Sequence, residues 1–126
     1  MRPSVEIGQE DSTKGLVGAR RRYALNLEQA VKRATELLSA LPDVRRVSLF
    51  GSYARGRRDL FTDLDLLVIM ETDVGVVDRL RDLYTLLSLP VDYDLVCFTP
   101  VEWEQLQHRA FWRHARQREV VLYERG

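Results

Sequence analysis

The chain has 126 residues, 45% of them apolar and 30% charged, which is the composition of one globular domain with a single packed core. Lysine plus arginine equals aspartate plus glutamate at 19 each, so the overall charge gives no reason to expect nucleic acid as a ligand. The single cysteine, Cys97, excludes an internal disulfide, and we see no signal peptide and no apolar run that could span a membrane. We therefore expect a cytoplasmic protein.

Residues 1–22 mix glycine, serine, threonine and charge without a hydrophobic period. This pattern predicts a flexible N-terminal arm, with residues 23–126 as the folded domain. A helix is expected from Asn26, because Asn26 and Gln29 fit a capping box and an apolar stripe follows at helical spacing. Pro42 should end this helix. The stripe consists of Leu27, Ala30, Val31, Ala34, Leu37, Leu38 and Leu41.

The middle of the chain predicts two strands around a short turn. The first strand is Val44–Phe50, and residues 52–55 should form one helical turn that Gly56 ends. The second strand, 63–70, is almost wholly apolar after its acidic start, so we expect it to be central and covered on both faces.

The last third predicts helix, strand, helix and strand. Asp73 should cap a helix whose inner face includes Val76, and the third strand is 91–98. Thr99 should cap a helix with Pro100 as its first residue, with Trp103, Leu106 and Ala110 in its core face. A final edge strand is expected at 119–123. This order predicts the α/β (α+β) class, a small mixed β-sheet with helices packed on it.

Chemistry is expected where the first strand meets the second. A strand that ends at Gly51-Ser52 and turns into a short helix presents free backbone N–H groups, which suit a phosphate. Asp63 and Asp65 point to the same side of the second strand. Two carboxylates about 7 Å apart repel by about 2 kcal/mol at an effective dielectric near 20, and partial burial adds a desolvation cost. A divalent cation would offset both, which suggests Mg²⁺ and a nucleoside triphosphate.

These residues amount to a family resemblance. The run GSYARG, a spacer of five residues and then TDLDLLV resembles the nucleotidyltransferase superfamily typified by DNA polymerase beta. Within it, the chain is most similar to the minimal nucleotidyltransferases of prokaryotic toxin–antitoxin pairs, over residues 27–124. Thr62 stands where the family has serine. The third family aspartate is best matched by Asp94, with Asp92 as second choice.

The resemblance implies a polymerase beta-like fold and an ATP-dependent reaction with two Mg²⁺ ions. It assigns Asp63, Asp65 and Asp94 as catalytic and metal-binding residues. It assigns Gly51 and Ser52 to the phosphates of the nucleotide, and charge neutralisation to Arg55, with Arg57 and Arg58 less favoured. The implied acceptor is a tyrosine of a HEPN-type ribonuclease toxin, which would make this chain an antitoxin that acts by adenylylation.

Two other functions stay open. The fold could serve as a non-catalytic antitoxin that inhibits its partner by contact, or it could modify nucleic-acid ends with Arg20–Arg22 as a clamp. A transferase this small must find its acceptor on a partner or oligomerise, and Trp103, Phe111 and Trp112 are candidates for a binding face. His108 and His114 lie six residues apart, so on a helix they cannot chelate one metal together, and we expect both to face solvent.

Overall fold

The protein folds around one four-stranded sheet. The computed structural model describes the backbone of residues 4–126 and the side chains from Gly15 onward. Its strands are β1 (Val44–Phe50), β2 (Leu64–Met70), β3 (Tyr93–Phe98) and β4 (Val120–Glu124). They are ordered β3-β2-β1-β4; β2 and β3 run parallel, and the other two pairs are antiparallel. The predicted mixed sheet, with β2 internal and an edge strand at the C-terminus, is confirmed.

Helices cover both faces of this sheet. On one face lie α1 (Ser4–Ser39) and α3 (Val76–Leu87), and on the other lie α4 (Pro100–Leu106) and α5 (Ala110–Ala115). A single helical turn, α2 (Gly51–Ala54), joins β1 to the loop before β2. Alternate residues of β2 therefore enter two cores, with Leu66 packed under α1 and α3 and Leu67 packed under α4 and α5. Within residues 4–126, no helix is long and apolar enough to cross a membrane.

Helix α1 is much longer than the sequence predicts. It begins at Ser4, so Asn26 lies inside it and cannot cap it, and the predicted start was wrong. The segment from Ser4 to Asn26 contains no proline, and an isolated glycine such as Gly15 costs only about 1 kcal/mol within a helix. The described part of the predicted arm is therefore helical, residues 1–3 lie outside the described range, and the division into arm and domain stays a prediction.

The start of α3 also differs from the prediction. Gly75, not Asp73, occupies the N-cap position, and no side chain caps the helix. The hydroxyl of Thr72 accepts a hydrogen bond from the backbone N–H of Val74. This side-chain hydrogen bond lies in the loop before the helix and not at its first turn. Val76 is 51% exposed and was wrongly placed on the inner face, which begins only with the second turn of the helix.

The predicted C-terminal helix is two helices. Thr99 caps α4 in a full capping box with Glu102, and Pro100 is its first residue, as predicted. The chain then leaves the helix after Leu106, and α5 folds back. Its Trp112 packs edge-to-face on Trp103, with the ring centroids 5.3 Å apart. Both tryptophans are only 7% exposed, so they do not offer a binding face. Phe111 is exposed, and so is Ala110, which was wrongly assigned to the core.

Candidate active site

The bend after β1 lies directly against the side chain of Asp65. Phe50 and Asp65 are paired residues of antiparallel β1 and β2, so the next residue, Gly51, falls beside that carboxyl group. Gly51 has a φ of +75°, and a Cβ atom built on it would lie 2.9 Å from the Asp65 Cγ atom. Glycine is required here for two reasons: the backbone angle is strained for other residues, and the Asp65 carboxyl fills the space that a side chain would need.

The acidic residues of the two parallel strands lie side by side. Asp65 of β2 pairs with Asp94 of β3, and paired residues on neighbouring strands project from the same face about 4.8 Å apart. Asp63 precedes Asp65 by two residues and lies close enough to repel its charge. Asp92 lies two residues before Asp94, and its backbone carbonyl oxygen accepts a hydrogen bond from the Leu64 N–H, with an N to O distance of 3.1 Å. The structure thus brings Asp63, Asp65 and Asp94 together on the sheet face that α4 and α5 cover.

Asp65 stands in a strongly unfavourable environment for a negative charge. Burial is the main cause that raises its pKa to about 6, followed by the charges of Asp94 and Asp63, while Arg55 opposes them. A half-buried carboxylate held against two others would be stabilised by a cation, and carboxylate oxygens are the ligands that Mg²⁺ prefers. Within residues 15–126, however, no three acidic, histidine or cysteine side chains are already arranged as a metal cage. The donor chemistry and the charge fit a divalent cation, and the carboxylates would have to draw closer around it.

The three arginines after the bend have different surroundings. The Arg57 Nε–H donates to Asp59 Oδ2 at 2.7 Å. The guanidinium of Arg58 lies 3.5 Å over the ring of Tyr53 and donates to the Tyr53 carbonyl. These two arginines hold the loop together, whereas Arg55 is exposed and close enough to Asp65 to influence its charge. Of the three, Arg55 is therefore the best placed to meet a phosphate beside Gly51 and the half-buried Ser52.

Tyr23 of α1, which no sequence motif singles out, is hydrogen-bonded to the loop that carries Asp63. The hydroxyl of Tyr23 donates to the Thr62 carbonyl oxygen at 2.8 Å, in the peptide group that joins Thr62 to Asp63. Burial, then Asp92 and Asp63, raise the pKa of Tyr23. The hydroxyl of Thr62, at the family's serine position, is wholly buried and bonds to Asp59 within the loop. Tyr23 thus fixes the peptide that presents Asp63.

The C-terminal segment supplies a second wall that sequence spacing could not reveal. A cavity of about 210 Å³ beside the bend is lined by Gly51, Arg55, His114, Ala115, Gln117 and Arg118. His114 is exposed, as expected, but it faces this cavity. A larger cleft of about 700 Å³ lies where β2 ends, at Met70 and Glu71. That cleft is at the opposite end of the sheet from Asp65, so its size does not make it the site of chemistry.

Two sequence comparisons relate this chain to known proteins. A family model described as a nucleotidyltransferase domain matches residues 27–125. A protein of Methanocaldococcus jannaschii named "putative protein adenylyltransferase" is 33% identical over 108 residues, which cover 79% of this chain and 100% of that protein.

Two solved structures are also similar. The crystal structure of "a putative nucleotidyltransferase" from Sulfolobus solfataricus has a TM-score of 0.54 at 20% identity and covers 87% of each chain. A Shewanella oneidensis complex of a tri-AMPylated HEPN toxin with its MNT antitoxin has a TM-score of 0.47 at 18% identity, over 78% of this chain and 72% of that chain. The first of these likenesses shows the fold that the sequence motif implies, and neither bears on substrate or partner.

Proposed function

Because the chain belongs to the nucleotidyltransferase domain family, we propose that it transfers AMP from ATP to a hydroxyl group of a partner protein. The observation that carries this proposal is the pairing of Asp65 with Asp94 across parallel strands, beside the Gly51 bend. Carboxylates grouped next to a turn with free N–H groups suit a metal-bound triphosphate. The M. jannaschii relative supports a protein as acceptor, because it is named a protein adenylyltransferase and this chain matches its whole length.

Asp63, Asp65 and Asp94 would hold the metal, two Mg²⁺ ions in our proposal. Bound there, the ions supply positive charge that stabilises the attacking and leaving oxygens of an in-line displacement. The fit is supported by Asp65, whose carboxyl group is half-buried beside two other acids, and the opposing charge of Arg55 does not cancel their effect. Nucleoside triphosphates are abundant in the cytoplasm, where we expect the protein to act.

The residues of this chain bind the nucleotide and receive the proton. Gly51 and Ser52 hold the β- and γ-phosphates through backbone N–H and hydroxyl groups, and Arg55 neutralises charge on the triphosphate. The acceptor oxygen forms a bond to the α-phosphorus as the bond to the β-phosphate oxygen breaks, and pyrophosphate leaves with the electron pair. Asp94 helps to take the proton of the acceptor hydroxyl.

The motif resemblance supports a specific acceptor, a tyrosine of a HEPN-type ribonuclease toxin. Adenylylation of that tyrosine would silence the toxin, which gives this chain the role of an antitoxin. Nucleic acid is not the expected acceptor, because the charge of the chain is balanced. A homo-oligomer that completes the acceptor side of the site is compatible with this proposal.

Position-specific labels on ATP test the reaction. We expect a partner toxin incubated with the protein, Mg²⁺ and ATP to gain label from the α-phosphate and none from the γ-phosphate. The same mixture with Asp63→Asn or Asp94→Asn should leave the toxin unlabelled. Label from the γ-phosphate would identify a phosphate transfer instead, and α-label that survives Asp94→Asn would remove that residue from the reaction.

Neutralisation of the toxin distinguishes a transferase from the alternative, a non-catalytic antitoxin that inhibits by contact. Replacing Asp63 and Asp65 by asparagine preserves size and removes charge, so the surface for partner binding is retained. A transferase with these changes should no longer protect cells from its toxin, whereas a contact inhibitor should still do so. Equal protection by the double variant and the unmodified chain would therefore favour the alternative.

A further inference from the structure

One wall of the cavity beside the bend carries basic residues that the proposed reaction does not yet use. The cavity, of about 210 Å³, is lined on one side by Gly51 and Arg55 and on the other by the segment 114–118, which contributes His114 and Arg118. No acidic residue lines it. Pockets that enclose whole drug-sized ligands measure roughly 300–1,000 Å³, so this cavity suits one end of a nucleotide.

We propose that Arg118 and His114, together with Arg55, bind the terminal phosphates of the nucleoside triphosphate and hold them as pyrophosphate leaves. This proposal rests on the function proposed above for the identity of the ligand. The sequence motif confines the phosphate-binding residues to 51–55. The proposal adds residues of the C-terminal segment, more than 60 positions after the glycine-serine bend, as a second phosphate-binding wall.

The fold fixes this wall in place from both sides. On the N-terminal side, Trp112 packs edge-to-face on Phe50, with the ring centroids 5.1 Å apart. This contact holds α5 against the end of β1, just before Gly51. On the C-terminal side, the side chain of Glu119 is only 7% exposed and accepts from Arg46 Nη2 at 2.7 Å. Arg118 lies between these two anchors, so its backbone is held while its exposed side chain can turn toward the cavity.

The basic side chains that line the cavity form no ion pair in the described part of the chain. No ion pair within residues 15–126 involves Arg55, His114 or Arg118, whereas the neighbouring Arg116 pairs with Glu119 at 3.7 Å and bonds to Gln107. Basic side chains therefore line the cavity that Gly51 borders, and Gly51 also lies against the Asp65 carboxyl group. A triphosphate whose α-phosphate lies toward the carboxylates would extend its remaining negative charge toward these basic side chains.

Titration calorimetry with three probes tests the proposal: inorganic tripolyphosphate, Mg²⁺ with α,β-methylene-ATP, and AMP. We expect Arg118→Ala to weaken the binding of tripolyphosphate and of the ATP analogue by about 10- to 100-fold, the loss typical of a charged hydrogen bond. His114→Ala should weaken the same two probes by a smaller factor. AMP has no terminal phosphates, so its affinity should change by less than about twofold.

Arg113→Ala is the matched control, because Arg113 is a basic, exposed residue of α5 next to His114 that does not line the cavity. It should leave all three affinities within about twofold, and the unfolding midpoints of all variants should agree. Arg118→Lys keeps the charge and should recover part of the lost affinity. Tripolyphosphate binding that is absent, unchanged by Arg118→Ala, or equally weakened by Arg113→Ala would overturn the proposal.

The outcome separates this proposal from the proposed function. AMP transfer by a protein whose tripolyphosphate affinity does not depend on Arg118 would refute the phosphate wall alone. A tripolyphosphate site that depends on Arg118, in a protein that transfers no AMP to any hydroxyl, would refute the function and leave the wall standing.

Discussion

Replacing Asp65 by asparagine should stabilise the metal-free protein while it abolishes AMP transfer. Burial and the charges of Asp94 and Asp63 raise the pKa of Asp65 from 3.8 to about 6, which corresponds to about 3 kcal/mol at about 1.4 kcal/mol per pH unit. The carboxyl group is only half-buried, so solvent screening reduces this to about 1–2 kcal/mol. Asparagine has almost the same size and no charge, so the Gly51 bend can keep its position.

The pH dependence fixes the sign of this effect. The folded state holds the proton of Asp65 more tightly than the unfolded state, so the free energy of unfolding falls as the pH rises from about 4 to about 6. The asparagine variant lacks this fall. The two proteins should therefore be about equally stable below pH 4, and the variant should be the more stable by about 1–2 kcal/mol at pH 8.

Urea unfolding in EDTA at pH 4 and pH 8 measures the difference directly. Asp82→Asn, at an exposed position of α3, is the control and should change stability by less than about 0.5 kcal/mol at either pH. Excess Mg²⁺ should then stabilise the unmodified chain and not Asp65→Asn. An asparagine variant that is less stable than the unmodified chain at pH 8 would refute the claim that Asp65 is held in a repulsive field.

Four further substitutions distinguish residues of the site from residues that only support the fold. Gly51→Ala should lose activity and at least about 1–2 kcal/mol of stability, measured by urea unfolding. The reason is that both its φ of +75° and the adjacent Asp65 carboxyl group exclude a Cβ atom. Gly56→Ala, also at positive φ but with no atom near its Cβ, should lose stability and keep activity. Tyr23→Phe should lower kcat and cost about 1 kcal/mol, since it removes only the hydrogen bond to the Thr62 carbonyl; unchanged kcat would exclude a positioning role. Thr99→Ala removes the α4 cap and should cost about 1 kcal/mol of unfolding free energy without changing the affinity for the ATP analogue; a weakened affinity would connect α4 to the site.

The local elements near the site could be predicted because each has a strong local cause. The apolar run of β1 ends at a glycine whose positive φ the bend requires, and Thr99-Pro100 is a helix start that needs no tertiary support. The spacing of Asp63 and Asp65 predicts that both project from one face. The pairing of Asp65 with Asp94 depends on the register between β2 and β3, which the spacing within each strand does not specify.

The features that sequence reasoning missed depend on long-range packing. The break between α4 and α5 lets Trp112 reach Phe50 and Trp103, and no glycine or proline marks it. Arg118 and His114 reach the Gly51 bend only because of that break. The early start of α1 is a different failure, since the part of the helix before Asn26 has no apolar stripe and therefore no periodic signal to detect.

The intact masses of both proteins after reaction test the central claim most directly. The protein is incubated with Mg²⁺, ATP and the product of its neighbouring gene, in its unmodified form and as Asp65→Asn. Our account predicts AMP-sized additions on the neighbour with the unmodified chain and none with the variant. Additions that persist with Asp65→Asn, or a neighbour that is neutralised without any gain in mass, would contradict it.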